Sequence, residues 1–356
     1  MKHKIYGEVM RIMGKKIFLA FSFLILSAAS LYCFWVVTAY ALAPATDYVG
    51  VAQNSFGEPF LSEYYKNPQS DEALASSKAS SVGEVTVAAN NVAKGKIINK
   101  NIDSSAANLR YNKVYVKNTT SLKIDLKTEL MQLPNLKIVT TTKPQVLIVH
   151  THTTECYMLD ERDYYSASDK TRTTNENENI VAVGRVLANT LKNKGIGVVH
   201  ATEKHDYPEY SGSYSRAEQT IKSYLKKYPT IKVVIDLHRD SVTDGSNKTA
   251  LVTTINGKKA AQLMLVSGCQ DGTVTGFANW RQNFRLAIRL QQTMEVMYKG
   301  LARPILFTPR KYNQHLTEGS LLIECGTEAN TLEQAKYSAE LLGNALAVTL
   351  NNLKEK

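Results

Sequence analysis

Apolar residues after position 144 recur at two spacings, and each spacing predicts a kind of element. Val146–Val149 is a short unbroken apolar run, the pattern of a strand buried on both faces. Residues 179–194 carry apolar side chains at helical spacing and stop before Gly195, a residue suited to the left-handed turn that ends a helix. Residues 197–199 and 231–237 read as strands, and residues 213–228 as a helix stopped by Pro229. Asn256-Gly257 between the apolar runs 251–255 and 263–266 predicts a hairpin joining those two runs. A long amphipathic helix over 277–298, a strand over 321–324 and a helix over 331–350 complete the series. Thr331 and Gln334 are placed as a capping box at the start of the last helix. Strand and helix alternate, so the expected fold is three-layer α/β, a mostly parallel sheet flanked by helices.

The N-terminal end has a different pattern. Residues 17–37 contain no charge, and roughly 20 apolar residues suffice to cross a ~30 Å hydrocarbon core. Lys2, Lys4, Arg11, Lys15 and Lys16 precede the segment, against the single acid Glu8. That asymmetry predicts a basic cytoplasmic tail (1–16), one transmembrane anchor (17–43) and everything beyond on the extracytoplasmic side of the cell membrane. Ala41-Leu42-Ala43 also fits a cleaved signal peptide, although the apolar run is longer than such segments usually are. Residues 44–140 are rich in Ser, Ala, Asn and Lys and short of large apolar residues, the composition of a spacer or partner-binding region. Residues 141–356 are then the expected catalytic domain.

Composition adds two exclusions. With 43 Lys and Arg against 32 Asp and Glu the net charge is +11, which favours an anionic partner. Export removes nucleic acid from that list and leaves an anionic membrane face and anionic wall polymer. Four cysteines in 356 residues are too few for a disulfide scaffold.

Polar residues gather where three apolar strands end, the place where open α/β sheets keep their ligand crevice. His150, His152 and Glu155 follow the first strand, His238, Arg239 and Asp240 the second, and Glu324 ends the third. Two imidazoles and a carboxylate are the usual donors to catalytic zinc, and a further carboxylate can take the proton of a bound water. His-x-His alone is a weak signal, and the Asp236–Asp240 cluster suits an ion-pair network equally well. Neither a Gly-x-Ser-x-Gly elbow nor a glycine-rich phosphate loop is present. Cys156 and Cys325 each follow one of the glutamates. On an extended backbone they face the opposite way, toward the core.

The stretches His150-Thr-His152-Thr-Thr-Glu155, Asn179 to Gly184, Asp236-Leu-His238-Arg239-Asp240-Ser241 and Ile323-Glu324-Cys325-Gly326 together resemble the stage II sporulation protein P family. The resemblance implies a peptidoglycan hydrolase of engulfment and septal wall thinning in sporulation, an N-acetylmuramoyl-L-alanine amidase with endopeptidase activity. It implies a domain similar to the zinc amidases, and stage II sporulation proteins D and M as partners. Carried over by motif, Zn2+ is held by His150, Glu155 and His238, with Glu176 as the alternative middle ligand, and Glu324 is the catalytic base. His152, Arg239, Asp240 and Arg216 become supporting or substrate-contacting residues. A zinc peptidase, a deacetylase of wall material and a non-catalytic tethered wall-binding module are the rival readings.

Overall fold

The computed structural model describes residues 93–139, 141 and 143–354. The expected basic tail, the apolar segment 17–43 and the spacer up to residue 92 lie outside the described residues. Among those described, no helix is long and apolar enough to cross a membrane.

The chain enters the fold earlier than its composition predicts. Strands β1 (Ala93–Lys100), β2 (Leu109–Tyr111) and β3 (Val114–Asn118) and a short helix α1 (Leu126–Met131) all fall inside the stretch expected to be a spacer. Val114, Val116, Leu126, Leu136 and Ile138 are buried in the main core. Buried Glu129 of α1 pairs with Arg281 and, at 2.8 Å, with Arg285. The boundary expected at 140 is therefore corrected for residues 93–139. A strand needs only alternate apolar residues, and an average over a hundred residues hides so few.

Next come β4 (Val146–Val149), β5 (Tyr164–Ser166), helix α2 (Ile180–Asn193), β6 (Val198–His200), helix α3 (Ser213–Lys227) and β7 (Val233–Asp240). Asn179 caps α2 by accepting from the Val181 N–H, and Gly195 follows it with φ 77°. Then follow β8 (Thr243–Asp244), β9 (Asn247–Ile255), β10 (Lys258–Ala261), β11 (Leu263–Gly268), helix α4 (Trp280–Met297), β12 (Ile305–Thr308), β13 (Ser320–Thr327) and helix α5 (Leu332–Asn351). The capping box of Thr331 and Gln334 forms.

The expected hairpin is corrected in its second strand. Asn256 and Gly257 take positive φ, 50° and 76°, as a two-residue hairpin turn requires. So tight a turn pairs Lys258 with Ile255 at once, and the partner of β9 is β10. Past Gln262 the chain leaves that sheet, and β11 enters the larger one beside β13 and β12.

The larger sheet has the order β2-β3-β12-β11-β13-β7-β4-β6. Only the β2–β3 and β11–β13 pairings are antiparallel. Helices α2, α4 and α5 pack on one face, over Val146, Ile148, Val233, Ile235, Leu237 and Ile323. Helix α3 covers the other face with Ile221 over Leu147, Val149 and Val234, beside a patch of Met264, Val266, Leu306 and Leu322. The expected mixed α/β fold with helices on both faces is what these residues form. A second sheet, β10-β9-β1-β5 with β8 on β9, adds to it.

Candidate active site

Strand register decides which side chains meet. Glu324 of β13 stands opposite His238 of β7, and Asp236 stands opposite Val149 of β4. Alternation then puts Asp236, His238 and Glu324 on the α3 face, and Ile235, Leu237 and Ile323 on the other. All three polar residues are buried.

His238 is the hub. Its Nε2 lies 2.9 Å from Asp236 Oδ1 and its Nδ1 3.7 Å from Glu155 Oε2. Asp236 is fixed in turn by the Thr151 N–H at 2.8 Å and the Thr151 hydroxyl at 2.6 Å. Glu155 Oε2 accepts from the Arg239 N–H at 3.0 Å. Burial by itself would lower the His238 pKa, but the carboxylates of Asp236, Glu155 and Glu324 outweigh it and raise it to about 10. Burial likewise pushes Asp236 up. The charge and hydrogen bond of His238, with those of Thr151, reverse this and hold it at about 2. Three carboxylates around one imidazole make a buried site that favours positive charge.

His152 closes one side. Its ring lies edge-on to His238 with centroids 5.3 Å apart and stacks on Tyr210 at 4.8 Å. Tyr214 of α3 contacts both imidazoles, and Tyr312 contacts Tyr214. Burial pushes the Tyr214 phenol well above its ordinary value and Tyr312 to about 12, so both stay neutral.

His150 does not join this group, which corrects its expected place as first ligand. It continues the alternation of β4, on the face of Val146 and Ile148. There its Nδ1 donates to the Leu237 carbonyl at 2.8 Å and its Nε2 meets His200 Nε2 at 2.8 Å, beneath Gly184. Burial, then its neighbour's charge, lowers His150 to about 3, and burial lowers His200 to about 4. Two residues apart on a strand, His150 and His152 would share a face. However, β4 ends at Val149 and residues 151–154 turn, so His152 swings over to His238.

The other expected residues divide similarly. Glu155 and Glu324 flank His238, whereas half-buried Glu176 faces Lys204 at 4.0 Å. Arg239 braces the site's wall, with Nε donating to the Cys156 carbonyl at 3.1 Å and Nη2 to that of Thr171 at 2.8 Å. Asp240 pairs with wholly buried Arg303 at 2.9 Å instead of lining the site. Arg216 donates from Nε to the His205 carbonyl at 2.6 Å and from Nη2 to that of Glu209, securing the loop before α3. Cys325 lies in the main core opposite Glu324, and burial raises its thiol to about 12 and that of Cys156 to about 11. Neither is a thiolate near neutral pH. Sequence reading gave Asp236 no role beyond its cluster and missed Tyr210 and Tyr214. Period-two placement of Asp236 before His238 would have supplied that role.

Among the described residues no three His, Cys, Asp or Glu side chains already stand as a metal-holding group. Imidazole and carboxylate are nonetheless the donor types that zinc takes. With Zn–N and Zn–O bonds of about 2.0–2.1 Å, tetrahedral ligands sit about 3.4 Å apart and two imidazole centroids about 5 Å apart. The 3.7 Å Glu155–His238 and 5.3 Å His152–His238 separations are close to these values.

Fold and site thus define an α/β protein with a buried carboxylate–imidazole centre at the carboxyl ends of parallel strands. The chain belongs to the stage II sporulation protein P family, whose model matches residues 57–347. Stage II sporulation protein P of Bacillus subtilis (strain 168) is 29% identical over 208 residues, 55% of this chain and 49% of the relative. The match thus spans about half the length of that relative. Among solved structures, the N-acetylmuramoyl-L-alanine amidase AmiC2 of Nostoc punctiforme aligns with 60% of this chain and 98% of its own, at 11% identity and TM-score 0.33. The amidase Ami1 of Mycobacterium smegmatis aligns with 59% and 99%, at 9% identity and TM-score 0.36.

Proposed function

We propose that this chain is a peptidoglycan hydrolase of sporulation that cleaves the amide between the muramyl lactyl group and L-alanine, with stem-peptide crosslinks as a second target. Family membership supports the biological setting. The observation that carries the chemistry is His238, held between Glu155 and Glu324 with Asp236 behind it.

His152, Glu155 and His238 would hold zinc, which when bound polarises a carbonyl and lowers the pKa of a water. Asp236 fixes the rotation of His238 so that Nδ1 faces Glu155. The Arg239 N–H orients Glu155. Glu324 accepts the proton of the attacking water at its carboxylate and returns it to the leaving amide nitrogen. Tyr214 and Tyr312 wall the centre from solvent and strengthen the local electrostatics. Arg239 and Arg216 act through the segments they brace. Residues 17–43 anchor the chain in the cell membrane with the described region outside, where its net positive charge meets anionic wall polymer. Stage II sporulation proteins D and M are the proposed partners.

Mass spectrometry of muropeptides released from purified sacculi tests the reading. New N-terminal alanine on stem peptides, abolished by a zinc chelator and restored by zinc, is expected. Released acetate would point to a deacetylase, and sacculus binding without soluble fragments to a non-catalytic module.

A further inference from the structure

The segment after α1 is fastened to α4, yet its tip is apolar. Glu129 pairs with Arg281 and Arg285, and Arg285 also donates to Gln132 Oε1. Arg289 donates to the Leu130 carbonyl at 2.6 Å, and the Asn135 N–H donates to Gln282 Oε1 at 2.8 Å. Pro134, Leu136 and Ile138 of the same segment are buried. Held among these bonds, Met131 is 76% exposed and Leu133 65%, the two most exposed large apolar side chains among the described residues. So fixed a tip does not hide its side chains by folding inward, and apolar surface displayed in this way marks an interaction site. Charge surrounds it. Exposed Lys127 shares a face of α1 with Met131, and exposed Lys123 precedes the helix. The three arginines recur every four residues along α4 against one buried carboxylate, Glu129. Of the other acids at hand, Asp125 caps α1 and Glu318 accepts from Asn135 at 2.8 Å, so the balance stays positive.

A hydrophilic polyanion would use this charge and gain nothing from Met131 and Leu133. A stable protein partner covers about 800 Å² a side, more than two side chains supply. An anionic bilayer uses both features, its phosphates meeting the cations and its headgroup–acyl boundary the apolar pair. We propose that the 131–133 tip docks on the anionic outer face of the membrane that holds residues 17–43. The tip lies at the amino end of β13, since Glu318 stands two residues before that strand, whereas His238 and Glu324 lie toward the carboxyl ends. Docking therefore turns the crevice away from the bilayer and toward the wall. The inference rests on the membrane anchor proposed above.

A polarity-sensitive dye on the full chain in vesicles tests it. With Cys33→Ser, the remaining cysteines, Cys156, Cys269 and Cys325, are all buried, so the dye attaches at an added Leu133→Cys alone. A control label goes at exposed Leu159→Cys, beside Met158, which bridges to Thr331 beyond the other end of β13. In phosphatidylglycerol vesicles with brominated acyl chains, the Leu133 label should be quenched at least about twofold and the Leu159 label left bright. Phosphatidylcholine vesicles should quench neither. Lys127→Glu should weaken docking at least about fivefold, the weight of one basic residue at an anionic surface. Vesicles that carry the chain yet leave the Leu133 label bright, or quench both labels alike, overturn the inference and leave the anchor standing. So does a dye response to wall polymer added in detergent, which would give the tip to the polymer. A response that follows protein density whatever the lipid would give it to a second copy and overturn the inference too. A chain that floats with neither vesicle overturns the anchor and this inference together.

Discussion

Glu324 sits opposite His238 in register and is buried, the placement on which its proposed role as the proton-exchanging group rests. Glu324→Gln keeps the shape and removes the exchangeable charge. It should retain zinc and fold while losing about 10²–10⁴ in turnover on sacculi, the range for a lost general acid–base group; undiminished release of muropeptides would exclude the role. The histidines make a second prediction, on the metal-free protein. His238 is raised from 6.5 to about 10, so its contribution to stability is complete below pH 6.5 and is lost as pH rises through 10. His150 and His200 are lowered to about 3 and 4, so theirs is complete above pH 6.5 and is lost as pH falls through those values. The urea midpoint should therefore peak near pH 6.5. His200→Gln should make the acid limb shallower, and an acid limb indifferent to that change counts against the neutral pair.

Helix α2 approaches β4 closely because residue 184 lacks a side chain. A Cβ there would lie 2.7 Å from the Nε2 atoms of both His150 and His200. Those imidazoles are locked together and to the Leu237 carbonyl, so they have little room to give way. Gly184→Ala should cost about 1–3 kcal/mol, the usual penalty of overpacking, even though alanine is the better helix former. A urea midpoint equal to or above the wild type would show that α2 can shift. The same element was largely legible beforehand: helical spacing and the terminating Gly195 each have a local cause, and the structure adds the Asn179 cap. The β9–β10 pairing was less so, because β10 opens with two lysines and lacks the apolar run that marks β11. Only the tightness of the Asn256-Gly257 turn selects the nearer one.

The folded unit as a whole begins before the motif-bearing region. Strand β1 lies between β9 and β5 and supplies ladder bonds to both, and β3 extends the larger sheet beyond β12. A chain cut to residues 141–356 would expose those edges and the core around Val114, Leu126 and Ile138. It should aggregate or unfold without cooperativity, whereas a chain starting at residue 93 should show a single sigmoidal transition. Cooperative unfolding of the shorter chain, with equal stability, would make residues 93–139 dispensable.

Sequence by itself determined what is local or periodic: the α/β alternation, the helix caps, the opposed faces of Glu324 and Cys325, and the strand ends where polar chemistry collects. It also carried the family, through the order of His150 to Glu155, Asp236 to Ser241 and Ile323 to Gly326. Tertiary structure alone decided which histidine of His150-Thr-His152 meets His238. That depends on where β4 stops and the chain turns, and on register between strands some ninety residues apart. It also decided that Asp240 belongs to Arg303 and Tyr210 to His152. Long-range pairings of this kind are set by packing of the whole sheet, and no spacing along the chain encodes them.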